Sequence, residues 1–220
     1  IEKTWGKLKN RKTPKHKHKE TKQKKPNLTV IYKDTQQAHF ALGFKSFDHI
    51  SKKNPAVMLL ANVLGGNMSS RLFVEIREKR GLAYHISAAN TPYYDTGNFT
   101  IHAGIQVEKT KSALIEILKQ IKDVKNTSVS AKELKRAKDF IRGKIALAFE
   151  NRHRNLDWFM DHFAFTGKVK SIESFLDEME KVSIKDIQKL SKEIFQEQNM
   201  SLAIIGPFKE RTVFEKELKI

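Results

Sequence analysis

The chain has 220 residues, 39% of them hydrophobic with 14 Phe, a formal net charge of +17, and no cysteine. That composition suits a single folded core and argues against disorder throughout. It excludes a disulfide framework and any thiolate metal site. No apolar run approaches the roughly 18 residues of a membrane span and no signal-peptide core is visible, so a soluble, cytoplasmic protein is expected.

The first 26 residues carry eleven Lys or Arg against Glu2 and Glu20, more than half of the net charge. Without apolar periodicity, and with Pro14 and Pro26, they cannot bury enough surface to offset ordering entropy and read as a basic linker, residues 1–26. His16 and His18 have no third ligand nearby. The chain starts at Ile1 rather than Met, so an upstream segment is expected.

From residue 27 the pattern is regular. "LTVIY" is β-rich, and "QQAHFALGFK" alternates through Ala38, Phe40, Leu42 and Phe44, the mark of a half-buried strand. Within it, His39 reads as a core or interface histidine. Pro55 opens a helix in which Met58, Leu59, Asn62 and Val63 keep helical spacing and which Gly65 and Gly66 stop. Ser69 or Ser70 is expected to cap the next helix, "SRLFVEIREKR", and Gly81 stands where a left-handed C-terminal cap belongs. Two strands, about 84–92 and 97–106, flank the turn-forming "YYDTG" as a hairpin.

The second half is largely helical. Leu114, Ile117, Leu118, Ile121 and Val124 form one stripe. Ser130 with Glu133 spells a capping box for a helix through Leu134, Ala137, Phe140, Ile141 and Ile145. Further stripes run through Leu156, Phe159, Met160 and Phe163, then Ile172, Phe175 and Met179, then Ile184, Ile187, Leu190 and Ile194, before "MSLAIIG" closes as a buried strand. The order predicts an α+β domain over residues 27–220.

Chemistry-bearing motifs are sparse. Eight histidines include neither H-E-x-x-H nor H-x-x-E-H, the arrangements that set two imidazoles on one helix face around zinc. His153 and Asp157 lie four apart on one helix, a spacing far commoner in solvated helix faces than in metal sites. "LGGN" follows a helix rather than a strand, so it is no phosphate cradle. The residues alone spell no complete active site.

One stretch is more specific. "LGGNMSSRLFVEIREKRGLAY" resembles the signature of the carboxy-terminal half of the pitrilysin, insulinase and mitochondrial processing peptidase family, the inverted-motif zinc peptidases. "VIYKDTQQAHFALGFK" and "LAIIGPF" look like the opening and closing strands of that half, so the likeness covers about residues 27–208. "GGN" stands where three glycines are often found, with Asn67 expected to tolerate a left-handed conformation. The resemblance implies an antiparallel sheet of about five strands with helices packed on one face. It implies that two such units enclose a chamber, with zinc in the complementary half and no cofactor or metal in this chain. It further implies that Arg77 and Tyr84 contact substrate carbonyls and stabilise the transition state in trans to zinc. Without it, the plain alternative is Arg77 paired with Glu75 or Glu78 at the surface and Tyr84 as an interface aromatic.

The resulting expectation is the substrate-binding half of a zinc metalloendopeptidase, inactive alone. Its partners would be peptide substrate and a zinc-bearing half in the same parent chain or a partner subunit, with a dimer formed through the face the missing half would cover. The alternatives are a non-catalytic structural subunit beside a separate zinc-bearing chain, or an acidic-surface or nucleic-acid binder acting through residues 3–25. Nucleic acid is the least expected partner.

Overall fold

A computed structural model describes residues 2–7 and 23–220; the basic segment inside the expected linker lies largely outside the described residues. Five strands form one sheet: β1 (Asn27–Tyr32), β2 (Gln37–Ser46), β3 (Ala83–Pro92), β4 (Gly97–Gln106) and β5 (Met200–Gly206), in the order β1-β5-β2-β4-β3. After a helical turn, α1 (Glu2–Trp5), the helices are α2 (Asn54–Ala61), α3 (Thr110–Asn126), α4 (Ala131–Phe149), α5 (Arg152–Thr166), α6 (Ile172–Glu180), α7 (Ile184–Ile194) and α8 (Thr212–Glu215).

The fold is α+β, as expected, but the sheet is mixed. β5 inserts between β1 and β2, antiparallel to β2 and parallel to β1. Strand pattern cannot reveal this, because the chain reaches β5 only after a long helical excursion and the pairing is decided by where that excursion returns.

Helices cover one face. Phe40, Leu42 and Phe44 of β2, Phe99, Ile101 and Ile105 of β4, and Leu202 and Ile204 of β5 point into the core, where Ile117, Ile121, Ile187 and Leu190 meet them. Phe195 packs edge-on against both Phe44 and Phe99, with centroids 5.1 Å away in each case. Each such side chain contributes about 1.5–3 kcal/mol on burial. The intervening strand residues, His39, Lys45, His85 and His102 among them, lie on the opposite face and are exposed. His39 is therefore not a core residue: its place in the alternation is opposite in parity to Phe40 and Leu42.

Helix starts follow local chemistry. Ser130 and Glu133 form the expected capping box on α4, and Ser183 with Asp186 repeats it on α7. The Asp186 carboxyl is held below its ordinary value by the Ser183 hydroxyl and then the Ser183 backbone N–H.

α5 departs from expectation. Leu156, Met160 and Phe163 are exposed and the helix has no fully buried residue. It docks through its other side: Trp158 packs edge-on against Phe175 at 5.2 Å, and Phe165 stacks on His49 at 4.1 Å.

Candidate functional site

The stretch 62–84 is built around three backbone events. α2 runs on into a π-helical turn, Asn62–Gly66, whose end presses on β3: a Cβ on Gly65 would lie 2.5 Å from the Ala88 backbone nitrogen. Only glycine permits that approach. Asn67 then takes extended angles, φ −156° and ψ 173°, not the left-handed ones expected. Its amide donates to Asn62 Oδ1 (2.7 Å) and its Oδ1 accepts from the Ser69 N–H (2.8 Å). The Ser70 hydroxyl donates back to the Asn67 carbonyl, so Asn67 rather than a serine side chain organises the helix entry.

The second event is the helix itself, which is π-wound over Phe73–Glu78. Arg71 anchors its start through two hydrogen bonds to Glu133, 2.6 and 3.1 Å, reaching the residue that caps α4. Burial alone would raise the Glu133 carboxyl, but hydrogen bonds from Arg71 and from the Ser130 backbone and hydroxyl outweigh it and hold it down at about 2.

Third is the exit. Gly81 has φ 57°, its N–H bonds to the Arg77 carbonyl (3.2 Å), and the Leu82 N–H reaches the Ile76 carbonyl (2.8 Å). This is the left-handed cap expected from sequence. Its two bonds fix the angle at which the chain enters β3.

Arg77 is exposed at the end of this helix with its guanidinium over the Phe73 ring, 4.9 Å from the centroid. Among the described residues it forms no ion pair. Glu75 is engaged by Lys79 instead, so the surface pairing of Arg77 with Glu75 is not formed. Stacking on Phe73 holds the guanidinium plane while leaving its N–H groups to solvent.

Tyr84 is the extra residue of a β-bulge. Ala83 pairs with Ile105 and His85 with Gly104, leaving Tyr84 between them. The bulge lets Ala83 and Ile86 both point inward while Tyr84 and His85 both stay exposed. Gln106, on the sheet's free face, donates to the Tyr84 hydroxyl (3.0 Å), which leaves the phenolic proton available to another acceptor. The bulge was not legible in the sequence; Tyr84 was singled out only by the motif around it.

A separate cavity of about 650 Å³ lies beside the outer edge of β3, walled by Phe140, Ile145, Trp158 and Phe175. Neither Arg77 nor Tyr84 lines it, so its volume is not an argument for the chemistry at those residues. His49, at its rim, is held below its ordinary value by burial first and by His162 second, against the opposing pull of Asp161 and Asp48.

Among the described residues no group of three or more His, Asp or Glu is placed to hold a metal ion. His153 and Asp157 are both exposed on α5. The described residues therefore do not fit a zinc centre.

This α+β unit carries a glycine-capped helix that leads into a bulged strand. The family model for the peptidase M16 inactive domain matches residues 1–141, and the chain belongs to that family. An uncharacterized zinc protease of Rickettsia bellii is 35% identical over 180 residues, which are 81% of this chain and 43% of that protein. An uncharacterized zinc protease of Bacillus subtilis is 31% identical over 175 residues, 80% of this chain and 42% of that protein. The chain thus spans less than half the length of these relatives. Among solved structures, a protease from Helicobacter pylori superposes with a TM-score of 0.82 at 20% identity, over 94% of this chain and 50% of that one. The peptidase M16 inactive domain from Pseudomonas fluorescens gives 0.75 at 22% identity, over 84% of this chain and 44% of its own. At those identities the structures report fold alone. No helix among the described residues is long and apolar enough to cross a membrane.

Proposed function

We propose that this chain is the substrate-binding half of a zinc metallopeptidase acting on peptides or unfolded segments, with the metal supplied by a complementary half. The observation that carries the reading is the pairing of an unpaired arginine at a glycine-capped helix end with a tyrosine made prominent by a bulge a few residues on. Both groups donate hydrogen bonds. A guanidinium and a phenol each suit peptide carbonyl oxygens, including the one that gains charge during hydrolysis. The local frame is stiff, since Gly81, the bulge and the Arg71–Glu133 pair fix where both side chains start.

The complementary half belongs to the same parent chain or to a partner subunit, and the relatives' greater length favours the former. A second surface supports an absent neighbour. Leu156, Met160 and Phe163 on α5 and Leu147 on α4 leave a row of large apolar side chains in water, which is where a covering half or a second copy would sit. A purely structural subunit would also need that row, but it would not need Arg77 and Tyr84.

The test is turnover in the zinc-bearing assembly. Tyr84→Phe deletes one hydroxyl and keeps the ring, and Arg77→Ala removes the guanidinium. Each is expected to lower kcat/KM by about 2–4 kcal/mol equivalent with zinc content and thermal stability unchanged. Lys79→Ala, which breaks only an exposed pair with Glu75, should stay within about 0.5 kcal/mol of wild type. Full activity in Tyr84→Phe and Arg77→Ala would sink the proposal.

A further inference from the structure

The sheet's free face has a composition of its own, which the strand register makes explicit. One row across it reads Ile31, Ile205, His39, Gly104 and His85, and the next reads Thr29, Ala203, Ala41, His102 and Ser87. The following row holds Gly43, Thr100 and Ala89, and beyond it Lys45 stands opposite Asn98. No aspartate or glutamate occupies any strand position on this face. The acids that follow these strands most closely in the chain, Asp34, Asp48, Asp95 and Glu108, fall in the connections beyond the strand ends.

The imidazoles are set out on a floor of small residues. His39 leans over Gly104, since a Cβ there would meet its Cε1 and Nδ1 at 3.4 Å. His85 flanks Gly104 on the other side, in register with it, and follows Tyr84 directly. Adjacent strands lie about 4.8 Å apart, so His39 and His85 start roughly 10 Å apart at the backbone, with His102 one row away between them. All three are exposed. Beside His39 the face dips into a hollow of about 560 Å³ whose lining includes Lys33, Gln37 and Ile205. No group of three or more ligand residues is placed for a metal here.

The geometry points to this face as a recognition floor for extended, acidic polypeptide segments, with His39, His85 and His102 as the residues that read the carboxylates. An extended segment repeats its same-side carboxylates about every 6.8 Å, a spacing the imidazole triangle spans, and the Gly and Ala positions admit a backbone close to the sheet. Carboxylates meet hydrogen-bond donors and no opposing acid. A nucleic-acid backbone suits the face less well: Lys45 is the one permanently charged cation at its strand positions, and Tyr84 is the one aromatic.

This inference rests on the proposed substrate-binding role of the chain, yet the two fail separately. The Tyr84 test is read as turnover with the zinc half present, whereas this one is read as binding to the present chain. The probes are a fluorescent peptide with glutamate at alternate positions and its glutamine counterpart, followed by anisotropy. The expected result is roughly tenfold tighter binding of the glutamate peptide than of its glutamine counterpart. The triple variant His39→Gln, His85→Gln, His102→Gln should lose the preference, while the exposed control Lys135→Gln retains it. Because the triple variant keeps the lysine-rich segment with His16 and His18, an unchanged preference in it would assign binding to that segment and overturn the proposal. So would equal affinity for the two peptides. An oligonucleotide binding through these histidines in the absence of any glutamate preference would replace it.

Discussion

Gly81 and Gly65 are both glycines of the motif, and they are glycine for different reasons. At Gly81 nothing lies within 4 Å of a would-be Cβ, but φ is 57°, so alanine there meets its own backbone rather than a neighbour. Gly81→Ala should cost about 1–2 kcal/mol in urea unfolding and disturb the entry of β3. At Gly65 φ is −157°, which asks for no glycine, and the obstacle is the Ala88 backbone, which cannot yield as a side chain would. Gly65→Ala should cost about 1–3 kcal/mol and shift the Ser87 and Ala88 amide resonances. Gly143 supplies the contrast: it is exposed within α4 with open space around it, and Gly143→Ala should stabilise by about 0.5–1 kcal/mol.

Between elements, two contacts decide how the motif and the helical layer are held. Arg71 joins the π-wound helix to α4 through Glu133, whose carboxyl is depressed from 4.5 to about 2. A carboxyl depressed in the folded state stabilises fully above its unfolded value, and the contribution is lost as pH falls from about 4.5 towards 2. Arg71→Met should lower stability at neutral pH by about 1.5–3 kcal/mol and flatten the loss between pH 5 and pH 2 in a series of unfolding curves. α5 is held differently, by His49 stacked on Phe165 and edge-on to His162 at 5.8 Å. His49 is lowered by burial and then by His162, so the folded state favours its neutral form. Its contribution is present above the ordinary value of 6.5 and is lost as pH drops through the lower folded value. Hydrogen exchange in α5 should therefore quicken on acidification below about pH 6, sooner than in α3; equal change in both helices would refute this latch.

At the scale of the whole molecule, the exposed row of Leu147 (70% exposed), Leu156 (55%), Met160 (56%) and Phe163 (59%) is the feature most at odds with an isolated domain. The three α5 residues recur at helical spacing, so they form one continuous stripe. The chain alone should self-associate through it with rising concentration in sedimentation velocity, and Leu156→Gln with Phe163→Gln should return it to monomer without loss of thermal stability. A chain that remains monomeric throughout, or a double variant that associates equally, would remove the argument for a partner there.

Much was set by the sequence before any folding was considered. The alternation in β2, the stripes of α3, α4 and α7, the Ser130–Glu133 box and the glycine stop at 81 all follow from local periodicity and capping chemistry. These act over a few residues and need no knowledge of the rest. The motif that singled out Arg77 and Tyr84 was likewise readable, and with it the family. Tertiary structure alone decided the remainder. β5 lies between β1 and β2 because the chain returns there after its helices, which no local pattern encodes. The α5 stripe, spaced like a core stripe, faces water because Trp158 and Phe165 dock the opposite side of that helix. Tyr84 owes its exposure to a one-residue bulge in the pairing with β4. The acid-free floor of His39, His85 and His102 exists only once β2 and the β3–β4 hairpin are set in register, because register is a property of pairs of strands and not of any one of them.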